Sequence, residues 1–192
     1  MYLSIWFLRI LRYGFPHIAP SRYSLHVRKG ILEVESDTLK KAEFKIITDS
    51  MTWTDNRGRR MRLWMPDEVG TIADPQRFMD MLVDRTVGIV TREPIDIYVN
   101  STYIPDQLTA QYDALWTPAR MRRVVDALAS SGVAMEINNR RRIPSAAFIR
   151  MARQAGVKFA CGTNNAGADD LGRNEYCAEI IRACDLRPEH FW

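Results

Sequence analysis

Apolar positions along the chain follow two rhythms. From residue 44 onward, short β-branched runs alternate with longer segments whose apolar residues recur at helical spacing. "FKIIT" (44–48), "IDIYV" (95–99), "VAMEI" (133–137) and "VKFAC" (157–161) are predicted strands. Residues 74–93 form a predicted helix, with Phe78, Met81, Leu82 and Val90 on one face, Asp74 as N-cap and Pro75 in the first turn. A second spans 117–132, started by Thr117-Pro118 and stopped at Gly132. Two more cover 143–156, with Pro144 near the start, and 169–186. Upstream, 24–36 supplies a further candidate strand, followed by a short helix at 37–44.

Strands that are apolar throughout and separated by helices indicate a parallel sheet covered by those helices. The expected fold class is α/β, with strand–helix repeats forming a partial or distorted TIM-like barrel, about half of the eight-stranded form. A doubly wound open sheet has the same local pattern and stays open as an alternative. No GxGxxG follows any strand, which argues against a dinucleotide fold. The expected organisation is an arm over 1–24 and one α/β domain over 25–192. The loop over 51–68 is long, aromatic and charged, either a lid or an insertion packing Trp53 and Trp64 onto the barrel top.

Composition changes this picture little. The chain has 192 residues, 46% hydrophobic and 26% charged, which suits one soluble domain. The net charge of +4 is a mild excess, and Arg140-Arg141-Arg142 has no aromatic beside it, so nucleic acid is an unlikely partner. Cys161, Cys177 and Cys184 are an odd number with no CxxC spacing, so neither a disulfide framework nor a structural zinc site is indicated; Cys177 and Cys184 are expected in the core. This cysteine usage fits the cytoplasm. The apolar N-terminal stretch is interrupted by Arg9 and Arg12 and is too short for a membrane span, so no membrane association is expected. No GxSxG occurs and no histidine lies near a strand end, which counts against a Ser/His/Asp hydrolase.

Candidate chemistry collects at the carboxyl ends of the predicted strands, where parallel α/β folds bind ligands. These ends carry Thr48 and Asp49, then Asn100 and Ser101, then Glu136 and Asn138, then Thr163, Asn164 and Asn165. Asp49, Asn100 and Asn138-Asn139 could equally be turn residues. Glu136 is different, because it interrupts an apolar strand. A carboxylate there must be paired, solvated in a cavity or bound to a cation. Arg140, Arg141 and Arg142 follow on the same rim, able to hold a phosphate or to form a solvated basic face.

The segment 133–172, "VAMEINNRRRIPSAAFIRMARQAGVKFACGTNNAGADDLG", resembles the end of the polymerase-and-histidinol-phosphatase (PHP) domain. Glu136-Ile137-Asn138 matches that family's Glu-x-Asn strand; Gly162-Thr163-Asn164-Asn165-Ala166, then Leu171-Gly172, match its Gly-Ser-Asp-Ala-His strand end and Leu-Gly loop. The specific match covers about forty residues. The resemblance implies a distorted barrel of metal-dependent phosphoesterase type, with metal ligands among Glu136, Asp49 and Asn164. Candidate substrate-binding positions, from the rim chemistry and the 51–68 loop, are Asn100, Asn138, Arg140, Arg142, Asn165 and Trp53.

This sequence departs from the family pattern. Asn164 stands at the family's aspartate, Ala166 at its histidine, and Asn100 where a histidine is usual; the opening His-x-His is missing, with only His26 as an echo, and His17 and His190 lie in the tails. Amide oxygens are weaker metal ligands than carboxylates. The expectation is an atypical or inactive metal site, with a single magnesium or manganese ion favoured over zinc. The alternatives are a non-catalytic barrel binding a small anionic or phosphorylated ligand, and a truncated copy of a larger barrel whose open edges promote self-association.

Overall fold

A computed structural model of the chain describes residues 24–26, 45–49, 52–54, 60–164 and 172–192. The expected helix at 37–44, nearly all of the N-terminal arm, and Asn165 lie outside the described residues. In chain order the strands are β1 (Ser24–His26), β2 (Lys45–Asp49), β3 (Thr52–Thr54), β4 (Arg60–Arg62), β5 (Ile97–Val99), β6 (Ala134–Asn138) and β7 (Phe159–Gly162). The helices are α1 (Pro66–Val69), α2 (Pro75–Arg92), α3 (Tyr112–Leu115), α4 (Pro118–Ser131), α5 (Ala146–Gln154) and α6 (Glu175–Ala183), with 3₁₀ turns at Asp106–Gln111 and Pro188–His190.

Five strands pair in parallel in the order β1-β2-β5-β6-β7. Strand order follows chain order without a reversal. A doubly wound sheet reverses at its switch point, so the winding runs one way, as in a barrel wall. The expected loop over 51–68 is a correction: it contains the antiparallel hairpin β3–β4, with Trp53 paired to Met61, and then α1. Arg62 closes this insertion by donating through its main-chain N–H and its guanidinium to Glu68. Trp64 packs against the main core.

The helices form where local chemistry allows. Asp74 caps α2 by accepting from the Arg77 N–H at 3.0 Å, and Thr117 caps α4. Gly132 ends α4 at φ 66°, in the left-handed region where a side chain would be strained. Two helix starts differ from the expectation. The helix after β6 begins at Ala146 rather than 143, because Ile143 is tied back to Asn138 in an antiparallel bridge. The last helix begins at Glu175 rather than 169, because its first turn is capped from β6: the Tyr176 N–H donates to Asn139 Oδ1 at 2.7 Å.

The pleat sends alternate strand residues to two different surroundings. Tyr98, Met135, Ile137 and Phe159 join the main core with Met79, Val83, Val124, Leu128, Phe148 and Ile149 from the helices. On the other face Ile97, Val99, Ala134 and Ala160 make a separate small cluster. Between α2 and α4 the buried Arg120 guanidinium donates to Asp80, to the Gln76 side chain and carbonyl, and to the Leu115 carbonyl. A buried cation is tolerable only with partners of this number.

Candidate functional site

Glu136 sits in β6 on the face opposite the helices, following Ala134, and is 8% exposed. Its register neighbour on one side is Ala160. On the other, two residues beyond the Ile97–Ala134 pair, the row meets Val99, which pairs with Asp49 of β2. One row across the sheet thus carries Asp49, Val99, Glu136 and Ala160. His26 falls in the preceding row, beside Ile47, Ile97 and Ala134.

The Glu136 carboxylate is held by amides. Oε2 accepts from the Asn100 main-chain N–H at 2.9 Å and from Asn138 Nδ2 at 3.1 Å. Asn138 Nδ2 also donates to Asn100 Oδ1 at 2.9 Å, while Asn138 Oδ1 accepts from the Arg141 N–H at 2.9 Å. That last bond fixes which way the Asn138 amide faces. Asn138 is 1% exposed, so these bonds form away from water, where each is worth more than at the surface.

Local backbone explains why asparagines stand at these strand ends. Asn100 has φ 50° and Asn164 φ 49°. Asparagine tolerates the left-handed region better than other residues with a side chain. Gly162 is required for a different reason. A Cβ on it would lie 1.8 Å from Glu136 Oε1 and 2.6 Å from its carboxyl carbon, so the side chain of β6 fills the space above β7.

The other predicted site residues scatter. Asn164, half-buried, lies two residues past Gly162. Arg142 turns outward to α6, with Nη2 2.7 Å from Glu179 and its guanidinium over the Tyr176 ring at 4.7 Å. Arg141 stacks over Tyr103 at 5.0 Å. Arg140 is exposed. Asp49 and Trp53 are placed by backbone register only. His190 accepts locally, from the Arg187 N–H. Cys177 and Cys184 are buried as expected.

Two polar residues named at the strand ends have surroundings that the local sequence does not announce. Ser101 Oγ is buried beside Asn100 and has no hydrogen-bond partner among the described residues. Asn139, next to the site residue Asn138, serves the outer helix layer. Its capping partner is 37 residues away, and nothing in the local sequence announces that bond.

No protein-family model matches the sequence, and no curated protein matches it. Among solved structures, the chain resembles histidinol phosphate phosphatase from Lactococcus lactis subsp. lactis, solved with zinc, L-histidinol and phosphate. The TM-score is 0.58 at 11% identity over 85% of this chain, and this chain spans 65% of that enzyme. At this identity the likeness concerns the fold, which is PHP-like.

The described residues do not fit a cluster of two or three metal ions. Among them no three His, Cys, Asp or Glu side chains group closely enough to hold a metal. Two N–H donors converge on Glu136 Oε2 and take up the acceptor directions of that oxygen.

No helix among the described residues is long and apolar enough to cross a membrane.

Proposed function

We propose that this chain is a PHP-type phosphoesterase-fold domain with an atypical site, binding a small phosphorylated ligand at the carboxyl end of its sheet without multimetal hydrolysis. The observation that carries this reading is the Glu136 carboxylate, tied by the Asn100 N–H and the Asn138 amide. Hydrolysis by this fold type depends on metal-activated water, and a carboxylate already held by two N–H donors is a poor anchor for a cluster. What it can do is accept from a ligand hydroxyl or ammonium group, the rest of the rim supplying amides and main-chain donors. The phosphorylated nature of the ligand is supported by the fold's likeness to a phosphatase solved with L-histidinol and phosphate.

A second reading draws on the register row that carries both Asp49 and Glu136. Two carboxylates in one row suit a single magnesium or manganese ion, which would supply Lewis acidity to a phosphoesterase.

One experiment separates the two. Purified protein is titrated with histidinol phosphate and simple phosphate monoesters in chelator, and phosphate release is followed with added magnesium, manganese or zinc. The binding reading expects thermal stabilisation in chelator and no metal-dependent turnover. Turnover that requires metal and disappears in Glu136→Gln would establish the second reading and sink the first. Neither stabilisation nor turnover, in a folded protein, would remove both.

A further inference from the structure

We propose that Cys161 and Cys177 form a dithiol that peroxide oxidises to a disulfide joining β7 to α6. The two thiols meet over one residue of β6. Cys161 is the register partner of Ile137 across the sheet, and Cys177 reaches the same residue from the helix layer, donating its thiol to the Ile137 carbonyl at 3.3 Å. Both lie on the helix side of the sheet, Cys177 within the main core and Cys161 packed against it. The third cysteine is not part of this arrangement; Cys184 donates instead to the Ala146 carbonyl.

The two thiols differ in access. Cys161 is partly exposed and Cys177 is buried. The Cys161 sulfur, which favours Cys177 as the protonated partner, and then burial push the Cys177 thiol up. Roles follow from access. The Cys161 sulfur, deprotonated, attacks hydrogen peroxide; an S–O bond forms, the O–O bond breaks, and hydroxide leaves and is protonated to water. The Cys177 sulfur then attacks the sulfenic acid; the S–S bond forms, the S–O bond breaks, and the departing oxygen leaves as water with the Cys177 proton. Both thiols are oxidised and one peroxide is reduced to two waters. Cys161 directly precedes Gly162, the residue beneath Glu136, so the cross-link restrains the strand end that borders the rim.

The test uses the full chain, reduced and then exposed to hydrogen peroxide, with peptide mapping under non-reducing conditions. A cross-linked peptide pair joining residues 161 and 177 is expected in the wild type and in Cys184→Ser, reversed by dithiothreitol. In Cys177→Ser the reaction should stop at a sulfenic acid on Cys161 that dimedone captures. The proposal is overturned if both thiols remain alkylatable after peroxide, or if Cys161 proceeds to sulfinic acid in the wild type with Cys177 unmodified. The wild-type and Cys184→Ser maps decide the matter even if Cys177→Ser fails to fold. None of these outcomes depends on whether the rim binds a phosphorylated ligand.

Discussion

Glu136 lies over Gly162, so closely that a methyl group on the glycine would stand 1.8 Å from Oε1. The carboxylate is immobilised by its bonds to Asn100 and Asn138 and has little room to retreat. Gly162→Ala is therefore expected to cost about 1–3 kcal/mol, as overpacking does. In a Glu136→Ala background the same substitution should cost far less. Urea unfolding of the four proteins gives the coupling; equal costs in both backgrounds would refute the contact.

The bond from Asn138 to Glu136 needs an N–H donor. Asn138→Asp replaces that donor with a second buried carboxylate and is expected to destabilise more than Asn138→Ala at neutral pH. Like charges this close raise the pKa of one partner in the folded state. The penalty is present while both are ionised and fades as pH falls through the raised value. Chemical denaturation at pH 7 and pH 5 should show Asn138→Asp recovering stability relative to Asn138→Ala as the solution is acidified.

At Asn100 two effects pull apart. Asn100→Gly relieves the left-handed backbone at φ 50° but loses the acceptor for Asn138; Asn100→Ala loses the acceptor and keeps the strain. The alanine variant should be the less stable by about 1 kcal/mol. Thermal denaturation ranks the two, and the reverse order would mean that the backbone relaxes at this strand end.

Ser101 Oγ is buried without a partner among the described residues, and a hydroxyl so placed costs a fold about 1–3 kcal/mol. Ser101→Ala should raise the melting temperature. If the hydroxyl has a use at the rim, the same variant will lose ligand-induced stabilisation while gaining stability alone, a split that mere packing would not produce.

Alkali should loosen the outer layer. Burial, the largest cause for each, pushes the Tyr103 and Tyr176 phenols from 10.0 up to about 12, against the neighbouring Arg141 and Arg142. The folded state holds these protons more tightly than the unfolded chain. Their contribution is complete below pH 10 and is lost between pH 10 and 12. Urea midpoints across this window should fall, and Tyr176→Phe should flatten the fall.

Much of the α/β repeat was legible because its signals are local. Asp74-Pro75, Thr117-Pro118 and Gly132 mark helix ends within a few residues of the bonds they make. Glu136 was legible as an anomaly, a charge in an apolar strand. Asn100 and Asn138 were legible as rim companions, but the bond from the Asn100 main-chain N–H was not, since it arrives from 36 residues away and carries no side-chain signature. The same distance effect hid the start of α6, which depends on Asn139; the hairpin within 51–68 was hidden because its strands are too short to show alternation. Arg142 was placed on the rim by chain position, yet Glu179 and the Tyr176 ring draw it outward.

Asn138 and Asn139 are neighbours in the chain and serve opposite faces of the sheet. The first grips the inner carboxylate; the second grips the opening turn of α6. A single peptide unit joins these two anchorages, leaving no slack between them. Displacement of Glu136 by an incoming molecule would therefore tug on the outer helix, so Tyr176 amide resonances offer a remote gauge of events at the inner rim.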